Sequence, residues 1–133
     1  MSQTMPWWTG TVIYQLIVRS FADGNGDGIG DFKGVASRLP YLRWLGVKTL
    51  WLTPIYPSPL RDGGYDITDF RDIHPELGDL ASFHRFLTAA HSQGMRVILD
   101  LVLNHTSDLH PWFQRARWAP KGSPERDFYV WSD

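Results

Sequence analysis

Cysteine is absent from the 133 residues of this chain, which excludes a disulfide framework and any thiolate metal site. An excess of one charge is missing too: 13 Lys and Arg stand against 14 Asp and Glu, for a net charge of −1. No run of five like charges occurs. The chain therefore lacks the electrostatic footprint that nucleic acid or an acidic membrane surface would need, and small or neutral partners remain. No apolar run approaches the ~18 residues of a membrane span, and the opening MSQTMPWWTG has no basic segment followed by an apolar one. A soluble, cytoplasmic protein is the expectation. Missing as well are a GxSxG elbow, a phosphate-binding GxxxxGK[ST] loop and an HExxH pair.

What is present suits a packed core: 43% of residues are hydrophobic and 20% charged, in a chain the size of one domain. Aromatics reach 14%, seven of them Trp. They serve a large core equally well as a flat or ring-shaped ligand.

Three apolar runs rich in β-branched residues predict strands at 11–18 (TVIYQLIV), 47–55 (VKTLWLTPI) and 96–104 (RVILDLVLN). Their continuity, without strict alternation, suits parallel strands covered on both faces. Between the first two, Phe32, Val35, Leu39, Leu42 and Leu45 recur at helical spacing. Pro40 is expected to divide this stretch into a turn and a second helix, with Gly46 as C-terminal cap. Between the second and third, Leu80, Phe83, Leu87 and Ala90 predict one helix face, with Asp79 as N-cap and Gly94 as C-cap. The order β-loop-α-β-loop-α-β, with right-handed crossovers, gives a parallel sheet. Long polar loops follow each strand, where parallel α/β folds build their sites. Such a unit leaves two unpaired sheet edges, so a piece of something larger, prone to self-association through those edges, is expected.

Three stretches carry candidate chemistry. ADGNGDGIGDF (22–32) offers oxygens from Asp23, Asn25, Asp27 and Asp31, with the Ile29 carbonyl between them. That alternation resembles a calcium loop, although Gly34 stands where an EF-hand has its bidentate Glu; a glycine-rich turn is the alternative. GGYDITDF (63–70) holds Tyr65, able to stack on a ring, and Asp66, able to accept from vicinal hydroxyls; a satisfied turn is the alternative. DLVLNH (100–105) puts Asp100 in an apolar run, where an ionised carboxylate needs a partner. Asn104 and His105 follow at the strand end, as structural anchors or as part of a site. His74, His84, His91 and His110 show no zinc-like pairing, and His84 and His91 read as helix-face residues.

Together these motifs resemble the α-amylase family of glycoside hydrolases over nearly all of residues 7–133. DLVLNH is similar to that family's first signature, GYD to its loop after the second strand, and VIYQLIVRSFADGNGDGIGDFKGV to its first strand and calcium loop. The resemblance implies an α/β fold, a partial (β/α)8 TIM barrel. Strands one to three with two helices would occupy 1–104, and 105–133 would begin the domain inserted after strand three. It implies retaining chemistry at an α-glucosidic bond, with nucleophile and general acid beyond Asp133, so the chain is expected to be inactive alone. Within it, Asp66 would bind the glucosyl 4- and 6-hydroxyls, Tyr65 would stack on the ring and His105 would bond the 6-hydroxyl. Asp100 and Asn104 would be structural, and Asp23, Asn25, Asp27, Ile29 and Asp31 would bind a structural calcium.

NHTSDLHPWFQRAR and DFYVWSD look like the trehalose synthase subgroup, which turns maltose into trehalose, and are close to oligo-1,6-glucosidases and other α-glucosidases. The implied partner is an α-glucoside such as maltose or a short malto-oligosaccharide. A non-catalytic sugar- or calcium-binding module is the remaining alternative.

Overall fold

The computed structural model describes residues 5–132. The opening four residues, part of the stretch read for a leader, and Asp133 lie outside the described residues. The chain runs β1 (Ile13–Leu16), α1 (Val18–Phe21), α2 (Phe32–Trp44), β2 (Thr49–Leu52), α3 (Leu80–Ser92), β3 (Arg96–Leu99) and α4 (Pro111–Trp118), then a 3₁₀ turn at Arg126–Phe128.

The three strands form one parallel sheet in the order β1-β2-β3, with Leu16 beside Leu52 and Leu52 beside Leu99. This is the expected partial barrel unit: three neighbouring parallel strands, with α2 and α3 as the crossovers. Each strand is shorter than its apolar run. At the first, Val18 opens a helical turn; at the last, β3 stops at Leu99 and Asp100 lies just beyond it. With only β2 beside it, β3 has no second ladder to extend Leu101 and Leu103, which are exposed.

The sheet's two faces differ. Leu16, Leu50 and Leu52 are buried against Phe32, Val35, Leu39 and Leu42 of α2 and Phe86 and Ala90 of α3. On the other face Ile13 and Ile17 are exposed, and Trp51 and Ile98 are half-buried.

Pro40 does not divide α2, contrary to the sequence expectation; the helix runs unbroken from Phe32 to Trp44. A proline inside a helix costs about 3 kcal/mol. Burying leucines such as Leu39 and Leu42, both fully enclosed, returns about 1.5–3 kcal/mol each. Pro40 itself faces solvent. Gly46 ends this helix at φ 88°. There its N–H donates to the Arg43 carbonyl and that of Val47 to Leu42, both at 3.0 Å, satisfying two orphan acceptors. Gly94 and Met95 close α3 in the same way, on His91 and Ala90.

Asp79 caps α3 as expected, in a reciprocal box with Ser82. The stripe that α3 buries is centred on Phe86 and Ala90, however, while Leu80, the first residue of the helix, is exposed. His84 and His91 lie on the exposed side of α3. In the segment after β3, Pro111 opens α4 and His110 caps it, its Nδ1 accepting from the Trp112 N–H at 3.0 Å. Phe113, Tyr129 and Trp131 pack together there, with Trp112 against Phe70 and Phe128. Among the described residues no helix is long and apolar enough to cross a membrane.

Candidate functional site

The parallel register makes the C-terminal edge of the sheet the place where loops meet. Asp100 leaves β3 there, tied by its N–H to the Leu52 carbonyl. Its carboxylate finds two aromatic donors: the Trp51 indole N–H at 2.7 Å on one oxygen and the Tyr65 hydroxyl at 2.9 Å on the other. The Tyr56 hydroxyl adds a bond to the Asp100 backbone carbonyl at 3.0 Å. The partner that a carboxylate in an apolar run requires is thus a pair of ring donors, not a cation. The bond to Asp100, then partial burial, pushes the Tyr65 phenol pKa up. Burial, and then the Asp100 charge, does the same to Tyr56.

His105 closes the group. Its Nε2 lies 3.2 Å from the Tyr65 carbonyl and its Nδ1 3.3 Å from the Asn104 side-chain nitrogen. A neutral ring with its proton on Nε2 satisfies both contacts. Tyr65, Asp100, Asn104 and His105 therefore form one connected cluster, with the Tyr65 side chain partly open to solvent. Beside it lies a cleft of about 590 Å³ whose walls include Phe70, His105, Trp112, Phe128 and Tyr129.

Asp66 stands in the same loop, but its bonds run elsewhere. It accepts from the Ser58 hydroxyl at 2.6 Å, the Arg61 N–H at 3.0 Å and the Asp62 N–H at 3.3 Å. Burial works against its charge, but the bond from Ser58 and the backbone N–H groups of Asp66, Arg61 and Asp62 outweigh it and hold the carboxyl below its usual range. Arg61 reaches Asp108 at 3.2 Å, an exposed pair joining the loops after β2 and β3. Exposed pairs of this kind add little stability.

The Asp23–Asp31 loop lies after β1 and is knitted internally. Asp23 accepts from the N–H groups of Asn25, Gly26 and Gly28, and the last two hold its carboxyl below the ordinary range. Asp27 accepts from the Ile29 N–H and the Asn25 side chain. Asp31 is buried and caps α2 through the Gly34 N–H, with a second bond from Gly24. Among the described residues no group of three or more His, Asp or Glu side chains is gathered as a metal cage. The donor set is nonetheless all oxygen, the chemistry a hard cation takes, and carboxylates have about four lone-pair positions each, so acceptor capacity remains.

Trp51, Tyr56 and Ser58 escaped the reading of the sequence. Trp51 had a signal: with Trp51 beside Ile98 in the register, Asp100, two residues on, shares its face. Ser58 had none, since its role depends on how the loop folds back on Asp66.

The chain belongs to the α-amylase family: the model of the alpha amylase catalytic domain matches residues 15–133. It is 57% identical over 127 residues to a trehalose synthase of Pimelobacter sp. (strain R48), a match covering 96% of this chain and 22% of that protein. It is 50% identical over 125 residues to an oligo-1,6-glucosidase of Parageobacillus thermoglucosidasius, covering 94% and 22%. Among solved structures, a MutB mutant in complex with glucose superposes with a TM-score of 0.92 at 48% identity, covering 98% of this chain and 23% of that one. The chain thus spans less than a quarter of the length of these relatives.

Proposed function

We propose that this chain supplies part of the sugar-binding floor of a retaining α-glucoside-active enzyme, with the isomerisation of maltose to trehalose as its reaction. Hydrolysis of short α-glucans is the second reading, favoured by the 50% identity to an oligo-1,6-glucosidase. The observation that carries the proposal is the cluster of Tyr65, Asp100 and His105 at the C-terminal edge of a parallel sheet, where such folds bind substrate.

In this reading the Tyr65 ring stacks on the apolar face of a glucosyl unit, and its tilt is held through Asp100 and Trp51. Asp66, kept ionised, is acceptor-only and takes hydrogen bonds from the 4- and 6-hydroxyls. His105 bonds the 6-hydroxyl by giving up its Nε2 contact with the Tyr65 carbonyl, while Asn104 holds its ring through Nδ1. The acids that attack the anomeric carbon and protonate the leaving oxygen belong to strands beyond this chain, so these residues bind and orient without making or breaking a bond. Incubating the chain with maltose and resolving the sugars by chromatography tests this; no trehalose or glucose is expected, and turnover would show that the acid pair is already here.

Asp23, Asn25, Asp27, the Ile29 carbonyl and Asp31 would hold a structural calcium. The ion would add a fixed positive charge that braces the loop. Binding it exchanges internal hydrogen bonds for metal bonds, so the benefit is one of stability. The melting temperature of the chain is expected to rise with added calcium and to return on chelation; a melting curve indifferent to both rules the site out.

A further inference from the structure

Leu60 is the one residue other than glycine with a positive φ, 59°, among the described residues. Leucine disfavours this conformation because its Cβ crowds the following carbonyl. The same loop has glycine at its other positive-φ positions, Gly63 at 60° and Gly64 at 103°, so it uses glycine where backbone shape alone is at stake. At Leu60 the side chain is half-buried, in a small cleft whose walls include Ile17, Val18, Tyr56, His74 and Leu77.

The surrounding hydrogen bonds converge on Asp66. The Leu60 N–H donates to the Ser58 hydroxyl oxygen at 2.9 Å, and that hydroxyl donates to Asp66 at 2.6 Å. The next two amides, of Arg61 and Asp62, both turn onto the Asp66 carboxylate. Reversing the hand of the backbone at Leu60 would swing those amides away.

We propose that Leu60 is the positioning residue of Asp66: its left-handed backbone aims the Arg61 and Asp62 amides at the carboxylate. The proposal rests on the reading of Asp66 as a binder of glucosyl hydroxyls. A carboxylate held by donors on its inner side presents its remaining lone pairs in a fixed direction, as recognition of a vicinal or paired hydroxyl requires. Leu60 touches no sugar; it acts through Asp66.

The test is an NMR pH titration of the Asp66 carboxyl in the 133-residue chain, with a maltose shift titration in parallel, on the native chain, Leu60→Asn and Leu60→Val. Asn tolerates the left-handed region and Val does not. Leu60→Asn is expected to keep the depressed Asp66 pKa and the maltose affinity. Leu60→Val is expected to raise the Asp66 pKa part of the way toward its ordinary range, the Ser58 bond being kept, and to weaken maltose binding by about fivefold or more. An Asp66 pKa in Leu60→Val equal to that of the native chain, or one that rises in Leu60→Asn, overturns the proposal. If Leu60→Val does not fold, Leu60→Ala, which also disfavours the left-handed turn, takes its place with the same expected rise, and a rise in Leu60→Asn still refutes the proposal. If the carboxyl follows the expected order while no chain binds maltose, the positioning stands and the sugar reading of Asp66 falls.

Discussion

Asp100 is held by an indole and a phenol, and that pairing makes a prediction at the scale of one residue. A phenol that donates to a carboxylate resists losing its proton, because the phenolate would face a like charge. Tyr65 therefore titrates above the ordinary value of 10.0, and Asp100→Asn, which removes the charge, brings the midpoint down toward it. Ultraviolet titration of the two chains, with Tyr65→Phe to assign the signal, reads this; a midpoint unmoved by Asp100→Asn contradicts the pairing. Much of this cluster was legible in the sequence, because Tyr65, Asp100, Asn104 and His105 lie in two short motifs. Trp51 was legible only through the strand register, and Tyr56 was not. Trp51 is 49 residues from Asp100 and meets it only once the strands are in register. The left-handed turn at Leu60 follows from how the loop packs, which local propensity does not specify, since local rules favour glycine there.

At the scale of elements, α3 with both its caps and the C-terminal cap of α2 were legible, since Asp79, Gly94 and Gly46 are local signals, whereas Asp31, the N-cap of α2, was read only as a metal ligand. Pro40 misled because its local cost is outweighed by tertiary burial of the leucines around it, a term that no window of sequence contains. The strands were overread for a related reason. An apolar run marks what can be buried, whereas a strand extends only as far as a neighbour pairs with it. The cap of α4 had no local signal, because His110 accepts from Trp112 only as a neutral ring. Burial lowers the His110 pKa from 6.5, against a smaller opposing pull from Asp69. A histidine with a lowered folded-state pKa stabilises fully above its unfolded value and loses that contribution as pH falls through the folded one. The first turn of α4 is thus expected to loosen on acidification below pH 6.5. A lower protection factor of the Trp112 amide at pH 5 than at pH 7, after correction for the slower intrinsic exchange at the lower pH, checks this; equal protection factors contradict it.

At the scale of the whole molecule, the apolar side chains left open on one sheet face and at both sheet edges decide what the chain can do alone. Ile13, Ile17, Leu101 and Leu103 are exposed, in positions that a closed barrel would cover. In the proposed reading the chain on its own makes few of the contacts that hold a sugar, because affinity comes from enclosing the ligand as well as from its polar anchors. The account thus predicts weak sugar binding by a chain that self-associates through its open edges. The most direct test is a calorimetric titration of maltose into the chain beside Asp66→Asn, with light scattering on the same samples. A weak but saturable heat, lost in Asp66→Asn, from a self-associated native chain is the predicted result. No difference between the two chains, or micromolar binding by a stable monomer, would contradict the account.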